Sequence, residues 1–387
     1  MRPGDARLLT PSGASLFIGL MSGTSLDGVD GVLADFSAQP PRILAHASAH
    51  FPADLRQTLL DLNAPGDNEL HRAALAGNGL ARVYAEVVHR LLQQSGVPAS
   101  SVQAIGAHGQ TVRHRPGEFD GTGYTLQLNQ PALLAEWTGI AVAADFRSRD
   151  VAAGGQGAPL APLFHRAWFG RPGQDLALLN LGGIANLTLL HADGICTGFD
   201  CGPANVLMDG WIARHRGQPF DADGAWATSG RVLPSLLAQL QAEPFFGRLP
   251  PKSTGRDLFH LDWLDAQLAA SGLSHIDDAL AADIQATLAE LTASTCADDL
   301  RRHGGQAIDR LVVCGGGALN SHLMARLAAH LPGVTVLASS ELGLPPLQVE
   351  AAAFAWLAWQ TVQGQAQPLE SITGARGARV LGCVYPA

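Results

Sequence analysis

Three glycine-rich segments of the chain carry small polar side chains of the kind that bind phosphate. They are MSGTSLDGVD at residues 21–30, NLGGIAN at residues 180–186 and VCGGGALN at residues 313–320. Glycine lets the backbone approach a ligand closely and adopt positive φ values. Successive exposed backbone N–H groups then form a cradle for phosphate oxygens. Two of the segments lie between predicted strands, so we predict a nucleotide held between two similar halves.

The first segment contains more hydroxyls and carboxylates than a turn requires. Its Asp27-Gly28 pair is a common hairpin signal, and a plain hairpin is the structural alternative. A site for β- and γ-phosphates needs N–H and hydroxyl donors, with a carboxylate nearby that holds Mg²⁺ through water. Asp27 or Asp30 could play that part, and we predict Asp27 as the metal ligand.

The second and third segments extend the same interpretation. Gly182 and Gly183 mirror the first turn, although a plain hairpin is again the alternative. The run Gly315–Gly317 lies between a strand and a helix, where three glycines are entropically costly unless something such as a flat ligand comes close. Asn320 could simply cap that helix. We favour an adenosine site over a cap alone.

Asp200 is the carboxylate best placed for proton transfer. It ends a predicted strand directly before Cys201-Gly202-Pro203, where a helix begins. A carboxylate at such a position suits a general base, whereas a helix N-cap is the common alternative. We favour the base because Asp200 closes the second of two similar meanders. Weaker candidates for the same role are Asp209, Asp221 and Asp223.

A compact charged cluster follows another predicted strand. It comprises Asp145, Arg147, Arg149 and Asp150. Surface salt bridges would explain the cluster, but planar recognition of a substrate carboxylate by an arginine is the sharper hypothesis. His108 also follows a strand and could line the same site, although a single histidine of this kind is more often structural.

The predicted elements form the same pattern twice, a three-strand meander followed by helices. Hydrophobic periodicity and turn signals predict these elements. The strands are 16–20, 31–36, 43–47, 102–107, 124–128, 140–144, 176–181, 187–190, 195–199, 310–314 and 335–338, and the helices are 67–94, 132–137, 203–215, 284–302, 320–330 and 349–363. The repetition indicates a duplicated α/β unit with a cleft between the copies.

A chain of 387 residues favours two domains. We predict a loose N-terminal extension at residues 1–15, a first α/β domain at residues 16–145 plus 365–387, and a second at residues 146–364 that carries the adenosine site. The expected boundary lies near residues 145–159, where Gly154, Gly155 and Gly157 could serve as a hinge.

Composition excludes several classes of protein. The net charge of −9 speaks against a nucleic-acid or anionic-membrane binder. Five cysteines without a C-x-x-C pair suggest neither a disulfide framework nor a zinc site, so a reducing cytoplasm fits best. A secretory signal and a membrane anchor are both expected to be absent. The basic loop Lys252–Arg256 lacks the Walker A order, and the protein-kinase and Rossmann motifs are missing.

Together these motifs resemble the anhydro-N-acetylmuramic acid kinases, over almost the whole chain from about Leu16. The segments that carry the resemblance are GLMSGTSLDGVD, AIGAHGQT, ADFRSRDVAAGGQGAPL, LNLGGIANLT, GFDCGPAN, DGAWATSG, PKSTGR, VVCGGGALN and GLPPLQVEAAAFAWLA. The resemblance implies two ribonuclease-H-like domains of the actin-like ATPase and sugar-kinase superfamily, with a nucleotide cleft between them. It also implies ATP and Mg²⁺ as cofactors and 1,6-anhydro-N-acetylmuramic acid as the small-molecule substrate, in cell-wall recycling.

The resemblance assigns roles residue by residue. It implies that Asp200 takes the proton of a water that opens the anhydro ring at C1, while O6 is phosphorylated. Arg147 or Arg149 would bind the lactyl carboxylate, with His108 nearby, and Glu350 could face the nucleotide. A kinase of another sugar and a non-catalytic ATP-binding regulator are the alternatives, and a homodimer is compatible with the sequence. The implied nucleotide contacts are Gly23, Thr24, Ser25, Leu26, Asp27, Gly28, Val29, Asp30, Gly182, Gly183, Gly315, Gly316, Gly317 and Asn320.

Overall fold

The structure is a computed structural model that describes residues 15–23, 26–38, 40–255, 258–273 and 275–387. The chain divides into two compact units, Met1–Phe164 with Glu350–Ala387, and His165–Val349. The predicted extension at residues 1–15 lies outside the described residues, apart from Ser15.

The described residues form groups of strands that are separated by groups of helices. The strands are β1 (Leu16–Met21), β2 (Gly28–Asp35), β3 (Arg42–His50), β4 (Val102–Ala107), β5 (Gln110–Pro116), β6 (Gly123–Leu128), β7 (Val142–Ala144), β8 (Leu176–Leu181), β9 (Ile184–Leu190), β10 (Cys196–Pro203), β11 (Arg310–Cys314), β12 (Thr335–Ala338) and β13 (Cys383–Tyr385). The helices are α1 (Ala53–Asp61), α2 (Glu69–Ser95), α3 (Pro131–Thr138), α4 (Ser148–Ala152), α5 (Ala161–Phe169), α6 (Asn205–Arg216), α7 (Ala225–Ser229), α8 (Pro234–Gln241), α9 (Leu261–Ala270), α10 (Asp278–His303), α11 (Ser321–His330) and α12 (Val349–Val362).

The two units contain sheets that share one arrangement of five strands, to which β13 adds a sixth, antiparallel strand in the first sheet. The first sheet has the order β13-β7-β4-β1-β2-β3 and the second β10-β9-β8-β11-β12. In each, three antiparallel strands are followed by two strands that run parallel to the first. The strand order third-second-first-fourth-fifth is that of the ribonuclease-H-like domain. The predicted duplication of an α/β unit is therefore confirmed.

Helices cover the central strands because those strands are apolar on both faces. In β8 all six residues are buried, as expected for a strand with cover on both sides. In the first unit α12 lies directly on β1 and β4. A Cβ at Gly19 would meet Ala351 O at 1.9 Å, and one at Gly106 would meet Phe354 O at 2.0 Å. Glycine is thus required for the close approach of this helix.

The division of the chain differs from the boundary predicted at residue 145. Helix α12 and the segment after β7 both pack in the first unit. An aromatic contact joins the two, and a buried hydrogen bond ties the segment to the chain that follows α12. The ring centroids of Phe146 and Phe354 lie 5.6 Å apart. Asp150, which is fully buried, accepts a hydrogen bond from Thr373 Oγ1 over 2.6 Å. The glycines predicted as a hinge are tied into this packing, since the N–H of Gly157 also donates to Asp150.

Helix α10 is the centre of the second unit, with buried residues along its whole length. It begins at the N-cap Asp277, whose carboxylate accepts from the N–H of Leu280 over 2.8 Å.

None of the helices in the described part of the chain is long and apolar enough to cross a membrane. The five cysteines are free thiols.

Candidate active site

The turn between β1 and β2 is fastened to the first unit through its carbonyl oxygens. Gln110 Nε2 donates to Gly23 O over 3.1 Å, and Arg56 Nε donates to Leu26 O over 3.1 Å. His50 Nδ1 lies 3.2 Å from the carbonyl oxygen of Asp27. A turn whose carbonyls are held by the protein can present its amide groups to a ligand.

Residues of the first glycine segment divide into three groups. Thr24 and Ser25, both predicted nucleotide contacts, lie outside the described residues. Leu26 and Val29 are buried in the core, so they could contribute only backbone atoms to a nucleotide site. Gly28 has a structural reason to be glycine, since a Cβ there would meet Ala49 O on β3 at 2.1 Å.

The two aspartates of this segment have different surroundings. Asp27 is exposed at the turn. Asp30 lies further along β2, with its Oδ1 3.5 Å from His46 Nε2. Among the described residues, no group of three His, Cys, Asp or Glu side chains could hold a metal by itself. A single carboxylate with ligand phosphates is nevertheless how Mg²⁺ is commonly held, and Asp27 fits that pattern.

A buried polar network ties this turn to the segment after β4. Ser22 Oγ donates to Gly109 O over 2.9 Å and lies 3.1 Å from the hydroxyl oxygen of Tyr84. That hydroxyl also accepts from the N–H of Gly109 over 2.9 Å. Because all of these groups are buried, removing one partner would leave another unpaired. The network fixes the turn and the residues around His108 as one rigid body.

His108 connects the network to Arg147. Arg147 Nη2 lies 2.9 Å from His108 Nε2, so Nε2 must accept and the ring proton must sit on Nδ1, 3.2 Å from Ser22 O. Burial, and secondarily the Arg147 charge, lower the pKa of His108 to about 3. With both ring nitrogens engaged, the geometry favours a positioning role for His108 over the predicted contact with substrate.

The two candidate arginines are not equivalent. Arg147 Nη1 donates to Gly157 O over 2.8 Å, so its guanidinium is occupied by the protein. Burial lowers the pKa of Arg147 to about 10, against the opposing charges of Glu350 and Asp150. Arg149 lies on α4 with an exposed side chain, and its guanidinium has no hydrogen bond or ion pair to any described residue. Arg149 is therefore the arginine available to a ligand.

In the second unit, the turn Gly182-Gly183 is joined to the start of α6. The N–H of Asn205 donates to Gly182 O, and the N–H of Ala204 donates to Gly183 O, each over 3.0 Å. A Cβ on either glycine would find its nearest neighbours at 3.8 to 3.9 Å. Packing within the protein therefore does not explain why these residues are glycine.

The third glycine segment packs against the second. A Cβ at Gly315 would meet Asn180 Oδ1 at 2.5 Å, and one at Gly317 would meet Leu181 Cβ at 2.5 Å. Gly315 also has a φ of +78°. Asn320 caps α11, because its Oδ1 accepts from the N–H of Leu323 over 3.0 Å. The alternative of an N-cap is thus confirmed for the Asn320 side chain, and Gly316 is the exposed glycine of the three.

Asp200 lies within the edge strand β10 of the second sheet, beside a register shift, so the prediction that it ends the strand is wrong. Its carboxylate accepts a hydrogen bond from the N–H of Thr254 over 3.0 Å through Oδ2, while Oδ1 has no partner among the described residues. Burial raises the pKa of Asp200 to about 7, although the Thr254 N–H and the Lys252 charge both oppose this rise. A carboxylate with a pKa near neutrality and one free oxygen suits a general base.

Two of the three weaker aspartate candidates, Asp221 and Asp223, have structural tasks. Asp221 accepts from the N–H groups of Trp226 and Ala227, each over 2.9 Å. Asp223 accepts from the N–H of Ser321 over 3.0 Å. Both carboxylates hold backbone at the start of helices, as N-terminal capping groups do, and this distinguishes them from Asp200.

Sequence reasoning missed the groups that surround Asp200. Lys252 and Asp299 form a buried ion pair with Nζ to oxygen distances of 2.9 and 3.0 Å. The pattern of the Lys252 loop indicated only a basic, hydroxyl-rich segment. Asp299 is one of several polar residues near the end of α10, and nothing in its spacing marks it as a partner of Lys252.

Comparison with known proteins gives consistent matches over nearly the whole chain. A family model described as Anhydro-N-acetylmuramic acid kinase matches residues 15–387. A protein of that name from Variovorax paradoxus is 65% identical over 377 residues, which cover 96% of this chain and 99% of the relative. Relatives of the same name from Albidiferax ferrireducens and Cupriavidus metallidurans are 58% and 56% identical, over 97% of this chain and 100% and 99% of the relatives.

Proposed function

The chain belongs to the anhydro-N-acetylmuramic acid kinase family, and from this membership we infer an ATP-dependent kinase of 1,6-anhydro-N-acetylmuramic acid that acts in cell-wall recycling. The observation that best supports this chemistry is the environment of the Asp200 carboxylate. Its carboxylate is held through Oδ2 and free at Oδ1, with a pKa raised by burial to about 7. A pure ATP-binding regulator would need no base of this kind.

The proposed reaction couples ring opening with phosphoryl transfer. A water oxygen bonds to C1 of the sugar, the C1–O6 bond breaks, and O6 bonds to the γ-phosphorus as the bond to the ADP oxygen breaks. Asp200 Oδ1 accepts the proton that the water loses. The phosphoryl group is the electrophile for O6, so no second carboxylate is needed to protonate the leaving oxygen, unlike in ordinary glycosidases.

We assign the nucleotide to the glycine segments. The amides of the turn around Gly23 and of Gly182-Gly183 would bind phosphate oxygens, and Gly316 would lie beside adenosine. Asp27 would hold Mg²⁺, whose contribution when bound is to neutralise charge on the transferring phosphoryl group. The support is that Gly182 and Gly183 have room around them, and that the carbonyls of the first turn are already used by the protein.

Arg149 is the proposed partner of the lactyl carboxylate. It is exposed and has no hydrogen bond or ion pair to the described residues, whereas Arg147 is committed to His108 and Gly157. A planar guanidinium can bind a carboxylate with two parallel hydrogen bonds.

We also propose that the enzyme acts in the cytoplasm, where ATP is available, and that a homodimer is its form in solution.

The test uses the purified protein with ATP, the anhydro sugar and ¹⁸O-labelled water. We expect ADP and a sugar 6-phosphate with the label at C1. Label in the phosphate instead would contradict the coupled reaction. The lactyl-free anhydro-N-acetylglucosamine is the control, because equal turnover of both sugars would favour a kinase of another sugar. Absence of turnover with intact ATP binding would favour a regulator.

A further inference from the structure

We propose that the buried ion pair of Lys252 and Asp299 positions Asp200 as the general base, by fixing the loop segment that holds its carboxylate. The inference deepens the proposed function and rests on it, because Asp200 acts as a base only if the chain catalyses the coupled reaction. Lys252 and Asp299 are positioning residues in this proposal, since neither is placed in contact with substrate.

The segment Lys252–Thr254 holds Asp200 at two points. The N–H of Asp200 donates to the carbonyl oxygen of Lys252 over 3.0 Å. The N–H of Thr254 donates to the Asp200 carboxylate over 3.0 Å. The first contact fixes the backbone on the free edge of β10, and the second selects the orientation of the carboxylate. The position of the base therefore depends on the position of this segment.

The ion pair anchors the segment to α10. The side chains of Lys252 and Asp299 are 1% and 4% exposed, and the ammonium bonds both carboxylate oxygens. The same ammonium lies 5.0 Å from the ring centroid of Phe245 and 5.8 Å from that of Phe199. Burying two charges is expensive compared with burying an apolar pair of similar volume. A pair at this site is therefore better explained by what it positions than by stability alone.

The Lys252 charge also acts on the proton affinity of Asp200. It opposes the rise that burial causes in the pKa of this carboxyl. The other titratable groups that the Lys252 charge acts on are His303 and Cys201. Burial lowers the pKa of His303 and raises that of Cys201, so both groups are neutral near pH 7. Lys252 is the cation that reaches Asp200, and Asp299 holds it in place.

A purely structural role predicts a different outcome for one pair of substitutions. Lys252→Met with Asp299→Leu replaces the charges by apolar groups of similar size, which commonly preserves stability. We expect this double variant to fold with a wild-type melting temperature. We also expect the acid limb of its kcat profile to move up by about one pH unit, because an opposite charge beside a carboxylate lowers its pKa by that order. At pH 6 its kcat would then fall roughly tenfold.

A ¹³C NMR titration of the Asp200 carboxyl makes the test independent of turnover. Its pKa should rise in the double variant even if the proposed reaction fails in the wild type, so the two failures are distinguishable. Arg326→Met, which removes a second ion pair to α10 at Glu290, should leave the acid limb unchanged. Lys252→Arg, which keeps the positive charge, should keep the acid limb of the kcat profile at its wild-type pH. Lys252→Met should shift it. A wild-type acid limb and a wild-type Asp200 pKa, in the double variant or in Lys252→Met, would overturn the proposal.

Discussion

At the scale of single residues, Asp200 is defined by a balance between burial and two stabilising groups. Burial disfavours the carboxylate, while the Thr254 N–H and Lys252 favour it, and the resulting pKa is about 7. Since only the carboxylate form can take a proton from water, kcat should rise with pH through this value. Asp200→Asn should bind ATP normally and lose about 100-fold or more in kcat. Isothermal titration with ATP and initial-rate assays would measure the two effects, and a near-wild-type rate would contradict the base assignment.

The same pKa predicts an effect on stability. A carboxyl whose pKa is raised on folding binds more protons in the folded than in the unfolded state, between about pH 4 and pH 7. Stability therefore falls as pH rises through that window. Asp200→Asn cannot ionise, so it should be more stable than the wild type at pH 8, by about 4 kcal/mol, and equal to it below pH 4. Urea unfolding at both pH values tests this, and a difference that is independent of pH would contradict it.

Arg149 gives the third prediction at this scale. Arg149→Met should raise KM for the anhydro sugar about tenfold or more, because a charge-assisted hydrogen bond to a carboxylate is lost. KM for ATP should not change. The matched measurement uses the lactyl-free sugar, for which the variant and the wild type should behave alike. If the preference for the lactyl sugar survives in Arg149→Met, the carboxylate is bound elsewhere.

Residue roles could be predicted where the sequence pattern indicated a strand followed by a turn, even though β10 continues past Asp200 to Pro203. Asp200 stands out because it closes a meander. Asp221 and Asp223 look like Asp200 in the sequence. Only the backbone N–H groups that they bind in the structure reveal that these two residues are caps. Lys252 and Asp299 meet across a helix–loop contact that no local pattern encodes.

At the scale of elements, the long periodic segments were predicted well, whereas several short helices were missed. Both meanders and the helices α2, α10 and α12 follow from hydrophobic period. The helices α1, α4, α7, α8 and α9 have ten residues or fewer. Isolated helices of that length are marginal, so tertiary packing rather than local pattern decides them. Strand β5 was missed because its polar, basic sequence lacks the apolar run typical of a buried strand.

The glycine turns allow a test of ligand approach that does not disturb the fold. At Gly183 a Cβ would have its nearest neighbour at 3.9 Å, and Gly247 has nothing within 4 Å. Both alanine variants should keep the wild-type melting temperature, but Gly183→Ala should raise KM for ATP because the added methyl group faces the proposed phosphate site. Gly315→Ala should instead lose stability, because of its positive φ and its contact with Asn180. Equal KM values for ATP in the Gly183 and Gly247 variants would remove Gly183 from the nucleotide site.

At the scale of the whole molecule, the two units each contain a complete sheet and a core of their own. Buried clusters around Tyr84 in the first unit and Trp211 in the second are distinct. The predicted boundary placed α12 with the second unit because a run of apolar residues does not reveal which sheet it covers. The contact that decides the matter, the seating of α12 on Gly19 and Gly106, joins residues far apart in the sequence.

The second unit is continuous in the chain, whereas the first is made of two segments. We therefore expect a fragment of residues 161–349, which keeps α5 intact, to fold by itself. Its sheet is complete, with β8 paired on both sides by β9 and β11. The fragment should show one cooperative thermal transition in circular dichroism and in the fluorescence of its tryptophans, which include the buried Trp211. A control fragment of residues 161–304 lacks β11 and β12, which leaves β8 without its parallel neighbour, and it should unfold without cooperativity. If the fragment of residues 161–349 binds hydrophobic dyes and melts gradually, the second unit depends on the rest of the chain for its fold.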